Sequence, residues 1–130
     1  MPTGSCHCGQ VEYEVPETLG DGVFCYCQTC RKLTGTAFAS VAPVAEEDFK
    51  ITKGKELLCH YESSPGKFRY FCSHCHSPIY VQMKPSPEVV RIRLGSLNFE
   101  PKVNITKHIW VSEKPEWYSI NDDLLQFEEF

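Results

Sequence analysis

The sequence predicts a mainly β domain built from short strands. Three observations support this prediction. Several runs in the 130 residues are rich in β-branched and aromatic residues, glycine and proline separate these runs, and closely spaced cysteines fall between them. With 42% hydrophobic and 23% charged residues, the composition is typical of a folded globular protein. We therefore expect one domain over residues 1–130, without repeats or linkers.

The individual elements follow from alternation and local composition. The first strand is expected at VEYEV (11–15), where apolar and acidic residues alternate strictly. A short helix at QTCRKLTG (28–35), which Gly35 would end, and one helical turn at AEEDF (45–49) are the helical predictions. The later strands are expected at FASVAPV (38–44), KFRYF (67–71), PIYVQM (78–83), VVRIRLGSL (89–97) and KHIWVS (107–112).

The charge and the N-terminal segment argue against several classes of partner. The net charge is −4, whereas nucleic acids and anionic membranes select basic surfaces. No run approaches the roughly 18 apolar residues of a membrane-spanning helix. The N-terminal MPTGSCHCGQ lacks the basic and apolar regions of a signal peptide. We expect a cytoplasmic protein without nucleic-acid or membrane partners.

The eight cysteines are the most informative feature of the sequence. Cys59 stands alone, and the others form three groups: Cys6-His-Cys8, Cys25-Tyr-Cys27-Gln-Thr-Cys30 and Cys72-Ser-His-Cys75. Permanent disulfides are not expected in a reducing compartment. Bridging within such close pairs is strained, whereas this spacing is typical of metal ligands. The cysteines therefore predict metal sites.

The first and third groups predict a structural zinc site. Zinc prefers four thiolate or imidazole ligands in a tetrahedral arrangement, and each of these groups supplies two on a tight turn. The expected ligands are Cys6, Cys8, Cys72 and Cys75. Such a site closes a long loop, so metal binding becomes part of the folding free energy. The alternatives use one pair alone or a flanking histidine that we otherwise expect at the surface: His7, His74 or His76.

The middle group has three cysteines and predicts a different kind of site. Zinc with three protein ligands keeps a fourth coordination position, which is the mark of a catalytic site. Three thiolates weaken zinc as a Lewis acid but suit the capture of a thiol as thiolate, its nucleophilic form. The spacing thus predicts zinc-assisted thiol chemistry at Cys25, Cys27 and Cys30. The alternative is a closed site completed by Cys59, a histidine or a partner chain.

A few other residues are candidates for roles near this site. Arg31 and Lys32 follow the middle motif and either attract an anionic thiol or form the solvated end of a short helix. His108 is expected on a strand surface rather than as a proton carrier, and Cys59 as a buried inert thiol. No residue is an obvious general acid, which leaves water or Tyr26 for that role.

Together the motifs resemble one known family. The segments TGSCHCGQVEYEV, CYCQTCRKLTGTAF, FCSHCHSPIY, LGSLN and KHIWVSEKPEWYSINDDL are similar to glutathione-dependent formaldehyde-activating enzymes and their relatives, including centromere protein V. The ordered set of cysteine motifs is specific, and the resemblance runs from about Thr3 to Leu125. It implies a β-tent fold of mostly antiparallel sheets. It also implies two zinc ions per chain, divided between the two cysteine sets as the spacing divides them.

The resemblance further implies an activity. The family condenses glutathione with formaldehyde to S-hydroxymethylglutathione and is classed with carbon–sulfur lyases, because the reverse reaction cleaves a C–S bond. The family commonly has histidine where Tyr26 stands and glycine where His76 stands. We expect an enzyme that adds a small thiol such as glutathione to an aldehyde, or the reverse. The alternatives are a zinc-stabilised binding module without turnover and a thiol redox or metal-buffering protein; the lack of a basic tail favours the enzyme.

Overall fold

A computed structural model gives the structure of residues 2–130, and it is mainly β, which confirms the predicted fold class. The strands in this part of the chain are β1 (Thr3–Ser5), β2 (Glu12–Glu14), β3 (Gly22–Cys25), β4 (Ala39–Ala45), β5 (Lys50–Lys53), β6 (Leu58–Ser64), β7 (Lys67–Cys72), β8 (Pro78–Met83), β9 (Ser86–Arg93), β10 (Ile105–Ile109) and β11 (Leu125–Gln126). The helical elements are α1 (Gln28–Thr34) and 3₁₀ turns at Glu46–Asp48, Lys55–Leu57, Leu94–Ser96 and Val111–Glu113. None of the helices described is long and apolar enough to cross a membrane.

The strands form a small sheet and a large one. The small sheet has the order β1-β2-β5 and is antiparallel. The large sheet has the order β11-β10-β3-β4-β9-β8-β7-β6. Its pairs are antiparallel from β3 to β6, while β10 runs parallel to both β3 and β11. The C-terminal part of the chain therefore completes the edge beside β3, the strand that leads into the middle cysteine motif.

One face of the large sheet carries the main hydrophobic core. Side chains alternate along a strand, so cross-strand partners share a face. On this face Ile92 lies between Ala42 and Tyr80, and Tyr80 stacks on Tyr70 with ring centroids 4.4 Å apart. The strands and turns of the N-terminal segment cover this face with fully buried side chains: Val11, Tyr13 and Val15.

The opposite face carries cysteine and arginine side chains. Its cross-strand pairs include Cys25–Ala39, Val41–Arg93, Val81–Arg69 and Val81–Arg91. Arg69 on β7 reaches Cys30 on α1, with 3.7 Å between Nη1 and Sγ. In a flat sheet β7 would lie about 19 Å from β3, because neighbouring strands are about 4.8 Å apart. The helix α1 therefore extends from β3 across this face towards β7.

Most of the predicted elements agree with the structure. The six predicted strands overlap β2, β4, β7, β8, β9 and β10, and the predicted helix is α1. Cys27 caps α1, since its Sγ accepts the N–H of Cys30 at 3.3 Å. Gly35 ends it in the left-handed conformation, with φ 71°. Five strands are not among the predicted ones. Four of them have two to four residues, too few to establish an alternation pattern: β1, β3, β5 and β11. The fifth, β6, has seven residues and was missed.

Candidate metal centres

The first candidate centre brings together four cysteines from both ends of a long loop. The Sγ atoms of Cys6, Cys8, Cys72 and Cys75 all lie within 4.8 Å of one another. Cys8 Sγ is 3.5 Å from the sulfur of Cys6 and 3.9 Å from that of Cys72. Tetrahedral zinc with Zn–S bonds of about 2.3 Å separates its sulfur ligands by about 3.8 Å. The cluster could therefore hold a metal ion, and its size is compatible with zinc.

Two tight turns position these cysteines. After β1 the chain turns back so that Cys6 and Val11 face each other, and the N–H of Val11 lies 3.3 Å from Cys6 Sγ. At the end of β7, Cys72 Sγ faces the N–H groups of His74 at 3.4 Å and Cys75 at 3.5 Å. Such N–H donors favour the thiolate, which is the form that binds metal. Cys6 and Cys72 are also part of the main core.

The histidines beside these ligands stay outside the cluster. His7, His74 and His76 are exposed, and within residues 2–130 the atoms that converge here are all cysteine sulfurs. His76 has φ 66°, and its N–H closes the turn on Cys72 O at 2.7 Å. Glycine adopts this left-handed conformation freely, whereas a histidine is strained in it.

The second candidate centre is formed by the middle cysteine group alone. Cys25 ends β3, Cys27 caps α1 and Cys30 lies in the first turn of α1, and their Sγ atoms lie within 4.8 Å of one another. Within residues 2–130, no fourth cysteine, histidine or carboxylate ligand joins them. Cys25 and Cys30 are buried, and the cluster packs against Ala39 and Trp110, apart from the main core. These three cysteines could also hold a metal ion.

Cys59 belongs to neither cluster, and the expectation that it is a buried thiol is wrong. It is exposed on β6. The segment around it forms β6, which is the last strand of the large sheet, and most residues of this strand are exposed. The position of a strand within a sheet depends on long-range pairing, which the local sequence does not encode.

Two buried arginines lie beside the three-cysteine cluster. Arg69 and Arg93 are each 7% exposed, and Arg69 lies within contact distance of Cys30. Hydrogen bonds with Cys25 and Cys27 hold the pKa of the Cys30 thiol far below its usual range, and the charges of both arginines act in the same direction. The same sulfur–sulfur hydrogen bonds, together with burial, raise the pKa of Cys25. The local field therefore favours a thiolate at Cys30, a feature that the sequence analysis missed.

Tyr26 and His108 form a buried hydrogen-bonded chain, so the expectation of a strand-surface His108 is wrong. His108 is 1% exposed and Tyr26 is fully buried. The Tyr26 hydroxyl lies 2.8 Å from His108 Nδ1, and His108 Nε2 lies 3.0 and 3.1 Å from the carboxylate oxygens of Asp122. A neutral imidazole that donates from Nε2 to Asp122 accepts the hydroxyl hydrogen at Nδ1. The Tyr26 hydroxyl is thus engaged with His108 rather than with the cysteine sulfurs.

Arg31 and Trp110 attach the C-terminal part of the chain to the same region. Arg31 Nη1 donates to the carbonyl of Glu113 at 2.8 Å, and the Glu113 carboxylate accepts the N–H of Gln28 at 2.7 Å. Trp110 has φ 57° and packs against the cysteine cluster. The contacts of Arg31 agree with the alternative of a helix-end residue, here anchored to a neighbouring turn, while Lys32 is exposed.

Two cavities lie beside the arginine-bearing face. The larger has a volume of about 550 Å³ and includes Ala39, which packs against the three cysteines. The smaller has a volume of about 190 Å³ and includes Arg69 and Tyr61 in its wall. Arg93 and Thr34 line both cavities. The larger cavity also includes Cys6 of the four-cysteine cluster, and the two cavities adjoin the three-cysteine cluster through Ala39 and Arg69 rather than through its sulfurs.

Comparisons with known proteins indicate the family of this chain. A 30% identical protein of Halomonas elongata is named "Putative glutathione-dependent formaldehyde-activating enzyme"; the similarity covers 90% of this chain and 79% of that protein. The crystal structure of a Rhodobacter sphaeroides protein matches with a TM-score of 0.64 at 28% identity, over 75% of this chain and 89% of the other. The family model described as "Glutathione-dependent formaldehyde-activating enzyme" matches residues 1–113, and the chain belongs to that family.

Proposed function

We propose that the protein is a zinc-dependent carbon–sulfur lyase-type enzyme, similar to S-(hydroxymethyl)glutathione synthase. Its substrates would be a small thiol, such as glutathione, and an aldehyde such as formaldehyde. The observation that carries the proposal is the contrast between the two clusters. Four sulfurs converge in the main core, while three converge elsewhere without a fourth protein ligand in the described chain. This is the distinction between structural and catalytic zinc sites.

The residues of the second centre have defined tasks in this proposal. Cys25, Cys27 and Cys30 hold the metal. A zinc ion held there would supply the Lewis acidity that favours the thiolate form of a substrate thiol. Arg69 and Arg93 stabilise negative charge on the sulfurs. Cys30 and Cys25 are buried, which keeps water away from most of the sulfur set.

The reaction itself is a simple addition. The thiolate sulfur forms a bond to the carbonyl carbon, and the C=O π pair moves to oxygen. The proton released by the thiol on binding returns to that oxygen through water. In the reverse direction the hydroxyl loses its proton, the C–S bond breaks and the aldehyde leaves. The residues contribute by orienting the sulfur and by lowering the free energy of its anionic form.

The four-cysteine centre is proposed to be structural. Cys6 and Cys72 are buried within the main core, and the site joins the turn after β1 to the β7–β8 turn. Without metal, thiol groups would face one another in the core and the N-terminal segment would lose its anchor. The two cysteine sets are the reason why we propose two zinc ions per chain. Their cysteines must stay reduced to bind metal, so we also propose a cytoplasmic location. The catalytic ion is the more easily lost, because it has one anchor fewer.

Metal analysis of single-cysteine variants tests this division. We expect about two zinc ions per chain in the unchanged protein. Cys72→Ser should unfold or aggregate, whereas Cys27→Ser should stay folded and retain one zinc ion. Cys59→Ser is the matched control, because Cys59 lies in neither cluster, and it should keep both ions. Equal destabilisation by Cys72→Ser and Cys27→Ser would contradict the division into two kinds of site.

A thiol titration tests the chemistry. Cobalt can replace zinc at thiolate sites and gives sulfur-to-metal charge-transfer bands. Glutathione at millimolar concentration should change these bands in the unchanged protein, and the change should disappear in Cys27→Ser. Bands that do not respond to any small thiol would refute direct thiol coordination and would favour a zinc-stabilised binding module. Reversible disulfide formation by the metal-free middle motif, without a thiol response of the metal form, would favour a redox role.

A further inference from the structure

The turn that carries Cys25 and Cys27 is attached to strand β10 at two points. Tyr26 lies between these two cysteines, and its backbone N–H donates to the carbonyl of Ile109 at 3.0 Å. Its hydroxyl lies 2.8 Å from Nδ1 of His108, the residue before Ile109. Two neighbouring residues of β10 therefore fix both the backbone and the side chain of Tyr26, and with them the position of the cysteine turn.

The three-cysteine cluster has few other supports. It lies apart from the main core, and its apolar packing neighbours are Ala39, Ile109 and Trp110. Ile109 ends β10 and Trp110 follows it directly. The helix that carries Cys30 has only seven residues, and a helix of this length has little stability of its own. The convergence of the three sulfurs therefore depends on how firmly β10 is held.

The C-terminal segment, residues 122–130, holds β10 from its other side. The two carboxylate oxygens of Asp122 lie 3.0 and 3.1 Å from Nε2 of His108. The backbone N–H of Phe127 donates to the carbonyl of the same histidine at 2.9 Å. The family model matches residues 1–113, so these contacts come from a part of the chain outside that match.

Asp122 also decides which nitrogen of His108 carries the proton. A carboxylate only accepts, so a neutral imidazole beside it donates from Nε2 and leaves Nδ1 to accept from the Tyr26 hydroxyl. Without Asp122 the ring can carry its proton on Nδ1, to which the hydroxyl cannot donate. An exposed carboxylate is thereby coupled, through a buried histidine, to the side chain between two cysteines of the cluster.

We propose that Asp122, His108 and Tyr26 form a positioning chain that sets the metal affinity of the three-cysteine centre. This inference rests on the proposed function, because it concerns how that centre holds its metal. The hydrogen bonds keep the cysteine turn in place before metal arrives, so less conformational freedom is lost on binding. Groups outside the ligand set typically change metal affinity about 10–100-fold. The four-cysteine centre belongs to the main core and does not depend on this chain.

Zinc dissociation constants of the full chain, measured by competition with a chromophoric chelator, test the proposal. Cys27→Ser keeps only the four-cysteine centre and so assigns the two constants. Tyr26→Phe should weaken zinc binding at the three-cysteine centre about tenfold or more and leave the other constant unchanged. The cobalt ligand-field bands of the three-cysteine centre should shift in this variant, because the geometry of its ligands changes.

Tyr13→Phe is the matched control for lost stability. Tyr13 is as fully buried as Tyr26 and its hydroxyl lies 2.5 Å from Ser96 Oγ, but it belongs to the main core. This variant also loses one buried hydroxyl, and it should not change the affinity of the three-cysteine centre. Equal weakening of that centre by the two variants would show a general effect of stability and would overturn the proposal.

Variants of Asp122 test the same chain from its exposed end, where folding is less at risk. Asp122→Ala should weaken the three-cysteine centre, and Asp122→Asn should recover part of the affinity, since its amide oxygen can still accept from Nε2. Asp123→Ala is the control, because within residues 2–130 the Asp123 carboxylate makes no hydrogen bond or ion pair. Unchanged zinc affinity in Asp122→Ala would overturn this inference alone. An unchanged protein that binds only one zinc ion would overturn the proposed function with it.

Discussion

The hydrogen bond between Tyr26 and His108 should contribute measurably to the free energy of unfolding. The change that isolates it is Tyr26→Phe, which removes one hydroxyl and keeps the ring. His108 Nδ1 then loses the donor that lies 2.8 Å away, in a side chain that is 1% exposed. A buried acceptor left without a partner costs about 1–3 kcal/mol, so we expect a loss of about 2 kcal/mol in the free energy of unfolding.

The assay is urea unfolding at neutral pH with the concentration of free zinc held constant, since bound metal contributes to the apparent stability. Tyr118→Phe is the matched control. Tyr118 belongs to the same aromatic group, with its ring 6.2 Å from that of Tyr26, but makes no hydroxyl hydrogen bond among the described residues. It should cost less than about 0.5 kcal/mol.

Two results would refute this reasoning. One is a Tyr26→Phe protein as stable as Tyr118→Phe, which would mean that the hydroxyl is not needed to satisfy His108. The other is a nitrogen NMR spectrum of the unchanged protein in which Nδ1 of His108 carries the proton, because Nδ1 could then not accept from the hydroxyl. The expected spectrum shows the proton on Nε2, where the Asp122 carboxylate accepts it at 3.0 Å.

Three further predictions concern the backbone and the pH dependence. His76→Gly should stabilise the zinc-loaded protein by about 1 kcal/mol in urea unfolding, because a histidine at φ 66° is strained in the left-handed conformation that glycine adopts freely. A loss of stability would show that the His76 ring makes a needed contact. Gly54→Ala should lower the free energy of unfolding by more than about 2 kcal/mol, since φ is 75° and the new Cβ would lie 2.0 Å from Gln10 O. Gly35→Ala, at φ 71° with free space around it, should lower it by about 1 kcal/mol. Equal losses of stability in thermal unfolding would argue against the clash at Gly54. The hydrogen bond from His108, with that from a backbone N–H, holds the pKa of Asp122 below the usual 3.8, so the carboxylate stabilises the fold above that pH. The difference in urea midpoint between the unchanged protein and Asp122→Asn should therefore shrink as the pH falls from about 7 to below 3.8. A constant difference would contradict the shift.

The two cysteine clusters differ in how the rest of the chain supports them. The four-cysteine cluster belongs to the main core, next to side chains such as Val11 and Tyr80. The three-cysteine cluster packs against Ala39, Ile109 and Trp110 on the other side of the large sheet. A centre in the core can stabilise the fold, while a centre with three protein ligands can accept a small molecule. This difference in environment is the physical basis for assigning them different roles.

Local sequence patterns were sufficient to predict much of the molecule. The mainly β fold class follows from the β-branched and aromatic runs, and α1 follows from its glycine stop. The grouping of cysteines also follows locally, because C-x-C and C-x-x-C pairs bring two sulfurs together within a single turn. The preference of zinc for four ligands then divided the seven cysteines into a set of four and a set of three, and the sulfurs of each set lie together in the structure. These predictions depend on a few neighbouring residues, whose geometry the backbone restricts strongly.

Only the tertiary structure decided what surrounds the clusters. Arg69 reaches Cys30 because α1 lies over the face that carries Arg69, and His108 is buried because β10 pairs with β3 and Asp122 returns to meet it. Cys59 is exposed because β6 ends the sheet. Each of these contacts joins residues far apart in the chain, so its formation depends on strand order, curvature and register. The sequence alone thus determined the grouping of the cysteines, whereas long-range pairing placed the charges, cavities and hydrogen bonds that give those groups their chemical environment.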